Sequence, residues 1–111
     1  MRVELDVFSG QSNPAWELTP GEVAEVAKRL TGLPRLQQAA GEPGLGYRGF
    51  VLSNPQRFPD LPIEIRVYGG VLTIREPAGP SYYRDAAKLE DWLLVQARQA
   101  GQAEILREIG K

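Results

Sequence analysis

Glu4 and Asp6 are the first side chains along the chain that could do chemistry. They lie two apart in an alternating segment, so a strand would set both on one face, about 6–7 Å apart along the backbone. Glu64, in a later strand-like segment, is placed to join them across a sheet. Paired carboxylates hydrolyse glycosides or hold a divalent cation. They are also the one acid–base option open, because the 111 residues include neither histidine nor cysteine. That composition removes thiol nucleophiles, disulfides, cysteine–histidine zinc sites and histidine-based triads together. Ser9, Ser12 and Ser53 have no base to activate them and read as turn residues. Arg48, Arg66 and Arg75 are expected on the same face as the carboxylates. Mixed charge of that kind is more often an exposed ion network than a reaction centre. Glu4, Asp6 and Glu64 therefore stand as the alternative, a small carboxylate-dependent enzyme. The primary reading assigns no catalytic residue, no metal and no cofactor.

That primary reading is a non-catalytic binding module whose partner is another protein or a second copy of the chain. Its expected contact surface is the charged sheet face with Arg66, Tyr68 and Arg75, or the adjoining loop from Phe8, Ser9 and Gly10 to Trp16 together with Tyr82 and Tyr83. Large aromatics and arginines are the residues that anchor protein interfaces. Ten of the 13 basic residues are arginine, whose planar fork suits carboxylates better than lysine does. The backbone amides of residues 8–12 could also take an anion or a peptide carboxylate. Trp16 and Trp92 are expected to pack, and Tyr82 and Tyr83 to be partly exposed.

Two glycine-containing motifs need weighing. Gly44-Leu45-Gly46-Tyr47-Arg48-Gly49 matches G-x-G-x-x-G, but a dinucleotide site needs a strand before it and a helix after it. Here a strand follows, so the match reads as coincidence in a glycine-rich chain. Val7-Phe8-Ser9-Gly10 and Arg48-Gly49-Phe50-Val51 partly resemble the paired aromatic signatures of RNA-recognition motifs, which imply rings stacked on bases of single-stranded RNA. The aromatics due next after Phe50 are replaced by Val51, Leu52 and Ser53, and the net charge is −1. Nucleic acid is thus the least favoured partner.

The elements that must position these residues are legible in patches. Val3, Leu5 and Val7 alternate with Arg2, Glu4 and Asp6, which predicts a half-buried strand. Thr19, Pro20 and Glu22 form a helix-start signal with a capping box, followed by Val23, Val26, Ala27 and Leu30 at helical spacing. Gly32 and Pro34 stop that helix, and residues 35–40 are expected to form a short helical turn. Tyr47 to Ser53 reads as a second strand. Glu64 to Glu76 reads as a hairpin about Gly69-Gly70, pairing Tyr68 with Val71, Val67 with Leu72, Arg66 with Thr73 and Ile65 with Ile74. Residues near Tyr82 could return as a short strand. Asp85 is placed to cap a C-terminal helix with Leu89, Trp92, Leu93 and Gln96 on one side, and Gly101 to bend it. Ser-Asn-Pro occurs at residues 12–14 and again at 53–55, each time after a strand, a repetition that shared turn chemistry explains.

The order β-α-β-β-β-α predicts one α+β domain over residues 1–111: a small antiparallel or mixed sheet with its helices on one face. Hydrophobic content of 42% and charged content of 24% suit a globular chain, and the 21 glycines and prolines give loops a large share of it. No apolar run is long enough for a signal segment or a membrane span, so a cytoplasmic protein, bacterial in style and without membrane contact, is expected.

Overall fold

The computed structural model describes residues 1–7, 12–44 and 46–111. The chain is α+β, built on a seven-stranded antiparallel sheet that is larger than its local sequence patterns predict. The strands are β1 (Arg2–Leu5), β2 (Ala15–Glu17), β3 (Arg35–Leu36), β4 (Phe50–Ser53), β5 (Glu64–Tyr68), β6 (Val71–Ile74) and β7 (Ser81–Arg84). In space they run β2-β1-β4-β5-β6-β7-β3. The helices are α1 (Pro20–Arg29), α2 (Leu89–Ala97) and α3 (Ala103–Glu108), with a wide helical turn at Arg98–Gln102 joining the last two.

The central hairpin pairs in the expected register, with Ile65 opposite Ile74, Arg66 opposite Thr73, Val67 opposite Leu72 and Tyr68 opposite Val71. Gly69 and Gly70 both hold positive φ, 60° and 81°, as a two-residue turn matched to strand twist requires. One slipped residue would turn every side chain to the wrong face. The slip does not occur: Ile65 and Val67 are fully buried while Arg66 is exposed. Val3, Leu5, Leu52, Phe50 and Leu72 complete the aliphatic face. They join Val23 and Val26 of α1, Leu89, Leu93 and Ala97 of α2 and Leu106 of α3 in one buried cluster.

The helix ends follow from named side chains. Thr19 Oγ1 accepts the Glu22 N–H at 3.2 Å, and Glu22 Oε1 accepts the Thr19 N–H at 2.8 Å, so both halves of the capping box form. Asp85 accepts the N–H groups of Leu89 (2.7 Å) and Glu90 (2.8 Å), satisfying two amides at the start of α2. It does so from four residues upstream of the helix, with Lys88 in the left-handed region (φ 58°) between them. Gly101, at φ 91°, is where the C-terminal helix bends. Arg29 ties α1 to α2 and the turn before it: its Nε meets Glu25 at 2.9 Å, its Nη1 donates to the Ala87 carbonyl at 2.7 Å, and its guanidinium lies 5.7 Å from the Trp92 ring.

The second expected strand begins at Phe50 rather than Tyr47, and two segments at the sheet edges differ from expectation. Residues 35–40 form no helical turn; Arg35 and Leu36 pair with Tyr83 and Tyr82 as the outermost strand. Ala15–Glu17 likewise pairs with β1 rather than looping free, and Trp16 packs edge-on against Phe50 with ring centres 6.5 Å apart. The cause is the same in both places. β7 and β1 each present a row of backbone donors and acceptors, and pairing these outweighs a weak local preference.

Tyr47 anchors one end of the sheet. Its hydroxyl donates to Glu90 Oε2, its ring lies 6.1 Å from Phe50 and 5.9 Å from Tyr68, and the Lys111 ammonium sits 4.7 Å from its centre. Burial raises the phenol pKa far above its ordinary value, and the hydrogen bond to Glu90 and that group's charge add to the rise. The folded chain therefore keeps a proton that the unfolded chain loses above about pH 10, and stability falls as pH climbs through that range. Denaturant titrations between pH 8 and pH 11 should show this loss in the wild type and a clearly flatter profile in Tyr47→Phe. Equal slopes in the two proteins would remove Tyr47 as the cause.

Candidate functional site

The outer face of the sheet, away from the buried cluster, carries the side chains singled out above. Strand register sets Glu4, Val51, Arg66, Thr73 and Tyr82 in one cross-strand row. Glu64 lies opposite Ser53, and the Arg75 N–H donates to the Glu64 carbonyl at 3.1 Å. Among the described residues their side chains make no ion pair, although their positions face each other.

A backbone irregularity delivers Arg48 to this face. The Asp6 N–H donates to the Gly49 carbonyl at 2.9 Å, while the Arg48 N–H donates to the Asp6 carbonyl at 2.8 Å. Two residues of one strand thus oppose one of the other, a β-bulge. In an unbroken ladder Phe50 and Arg48 would share the inner face, since side chains alternate. With the bulge, Phe50 stays in the core and Arg48 Nη2 reaches Asp6 Oδ1 at 3.0 Å. Two glycines of the G-x-G-x-x-G match thereby gain a structural cause: Gly46 (φ 94°) and Gly49 (φ 88°) occupy the left-handed region.

The carboxylates are held in a network. Arg2 Nη1 donates to Glu4 Oε1 at 3.1 Å, and Asn13 Nδ2 donates to Glu4 Oε2 at 2.9 Å and to Asp6 Oδ1 at 3.3 Å. Arg66 Nη1 lies 3.7 Å from Asp6 Oδ2. Asn13 also accepts the Val7 N–H at 3.0 Å, so it fixes the end of β1 and the two acids at once. Every oxygen of the pair faces a donor, and neither acid is on the wall of the two hollows that open on this face. Glu64 lies on the wall of one, but without the Glu4–Asp6 pair beside it. The ring at Phe50 that base stacking would need is buried in the core.

Two hollows open on this face and meet at Arg66 and Thr73. One, about 210 Å³, lies between residues 39–43 and the sheet, with Arg48, Arg66, Tyr68, Val71 and Thr73 as its sheet-side wall. The other, about 320 Å³, runs past Glu64 and Arg75 to Gly79 and Pro80. Together they make a groove across the outer face. Of the two residues common to both, Arg66 keeps 57% of its side chain exposed despite its proximity to Asp6.

The structure brings together Arg66, Tyr68, Arg75 and Tyr82 of the expected contact residues, beside Glu4, Asp6 and Glu64. It separates the others. Tyr82 and Tyr83 are neighbours in a strand and point to opposite faces: Tyr82 stands opposite Thr73, Tyr83 opposite Leu72. Tyr83 lies under the Arg35 guanidinium at 5.7 Å and lines a hollow with Leu30, Leu33, Asp60 and Ile74. Trp16 is on the inner side against Phe50. Side-chain alternation thus puts Trp16 and Tyr83 on the inner side and Tyr82 on the outer. Phe8, Ser9 and Gly10 lie outside the described residues. Arg48 stands with the carboxylates as expected, though through a bulge rather than plain alternation. Local patterns gave no signal for residues 39–43, whose place depends on contacts distant in sequence.

Among the described residues no helix is long and apolar enough to cross a membrane. No protein family, curated protein or solved structure matches this chain.

Proposed function

We propose that the protein is a binding module that takes a protein partner on the outer face of its sheet, with the helices confined to the aliphatic side. The observation that carries this reading is the groove through Arg66: an exposed arginine at the junction of two hollows, flanked by Tyr68, Thr73 and Arg75. Arginine and tyrosine are the residue types that concentrate binding energy in interfaces, and a groove buries more of a partner than a plane does. Strand addition at an edge is the weaker mode here, because the outermost strands, β2 and β3, have three and two residues.

Arg66→Glu tests the reading. The Arg66 contact with Asp6 is long at 3.7 Å and Arg66 is 57% exposed, although the Asp6 side chain is only 15% exposed and would meet a like charge. Unfolding free energy should therefore fall by no more than about 1–2 kcal/mol. Association should fall at least about tenfold, as expected for a reversed charge at an interface centre. Quantitative capture of partners by the wild type and the variant measures hetero-association, and sedimentation of both measures self-association. Unchanged capture together with unchanged sedimentation would overturn the proposal.

A further inference from the structure

We infer that the smaller hollow is a carboxylate subsite, and that the groove accepts an extended peptide segment of a partner with an aspartate or glutamate seated between residues 39–43 and Arg66. This rests on the outer-face reading above and adds the chemical class of its ligand. Four observations support it. Two guanidiniums line the space, Arg48 held closely by Asp6 at 3.0 Å and Arg66 only loosely at 3.7 Å. The contact to Arg66 is the longer of the two, and that side chain is 57% exposed and lines the hollow. Among the lining residues the charged ones are both arginine, while Val71, Ala39, Ala40 and Pro43 offer apolar walls for a methylene stem. Tyr68 and Thr73 add side-chain hydroxyls.

Continuity favours a peptide over a free acid. The smaller space is about 210 Å³. It opens at Arg66 and Thr73 into the second hollow, where Glu64 and Arg75 present both signs of charge to the residues that follow. A small free carboxylate would use the first space and leave the second idle. An extended segment alternates its side chains and so can fill one hollow while its backbone crosses to the next.

The test uses the full chain and arrays of octapeptides randomised except at the fourth position, which is Glu, Gln or Lys. Retention of the wild type on the Glu array should exceed that on the Gln array at least tenfold, with the Lys array weakest. Retention on the Glu array should decline as salt rises, through screening. Arg66→Gln should lose the tenfold preference, and Thr73→Val should reduce retention on the Glu array by a smaller factor. Equal retention on the Glu and Gln arrays, both lost in Arg66→Glu, would overturn the carboxylate subsite while leaving the outer face as the contact surface. Retention that Arg66→Glu does not alter would overturn both. Full displacement of the Glu peptides by glutarate at the concentration of peptide would assign the hollow to a free acid and overturn the peptide, as would failure of all three arrays to retain the wild type.

Discussion

Gly49→Ala should be the most damaging glycine-to-alanine change among the described residues, lowering the unfolding free energy by about 3 kcal/mol or more. Two independent costs act at that position. The backbone sits at φ 88°, a region that side-chain-bearing residues enter only under strain. A Cβ there would lie 2.0 Å from the Val67 carbonyl oxygen and 2.9 Å from the Tyr68 Cβ. The obstructing oxygen belongs to the central strand, so no rotamer change relieves the overlap; β4 and β5 must part. The same movement would release the bulge that turns Arg48 outward, and binding at the groove should fail with folding. Small domains have about 5–15 kcal/mol of stability in total, so a loss of this size would show as a marked drop in the urea midpoint. A change below about 1 kcal/mol would mean that the sheet absorbs the methyl group and that the bulge is less rigid than its hydrogen bonds imply.

Asn54→Ala is expected to cost about 2–4 kcal/mol, the second-largest effect. Asn54 is 1% exposed. Its Oδ1 accepts the Phe58 N–H at 2.9 Å, and its Nδ2 donates to the carbonyls of Phe58 at 3.2 Å and Leu61 at 3.3 Å. Alanine removes all three partners and leaves a donor and two acceptors of the loop after β4 to find water. The repeated Ser-Asn-Pro supplies an internal comparison. Asn13 uses the same amide chemistry, but it reaches back to Val7, Glu4 and Asp6, and it is partly exposed. Water can replace more of its bonds, so Asn13→Ala should cost less, on the order of 1 kcal/mol. Thermal or urea unfolding of the two variants side by side decides the matter. Equal losses would show that burial does not set the difference.

These two positions mark where local patterns stop informing. The β5–β6 hairpin was readable to the residue because a two-glycine turn, strict alternation and cross-strand partners all agree on one register. The start of α1 was readable for a similar reason: cap, proline and acidic partner reinforce one another within four residues. Asp85 and Gly101 were readable as a cap and a bend from their types and positions alone. The edges were not. β2 and β3 are too short to show a period, and they form because a neighbour's backbone needs partners. Gly49 looks like any glycine in a glycine-rich link until the carbonyl of Val67 is known to stand against it. The charged face itself was legible from alternation. Its groove was not, since residues 39–43 become a wall only after β4, β5 and β6 are assembled.

The brevity of the two outermost strands also bears on how the protein behaves when crowded. A fibril grows when one molecule offers the next a stretch of about six residues of unpaired main chain. Here one rim presents three residues and the other two, so a copy arriving alongside gains only a few hydrogen bonds before its path runs into a turn. Concentrated solutions should therefore favour contacts through side chains, which dissolve again on dilution or in salt, over the irreversible stacking that a long open margin would template.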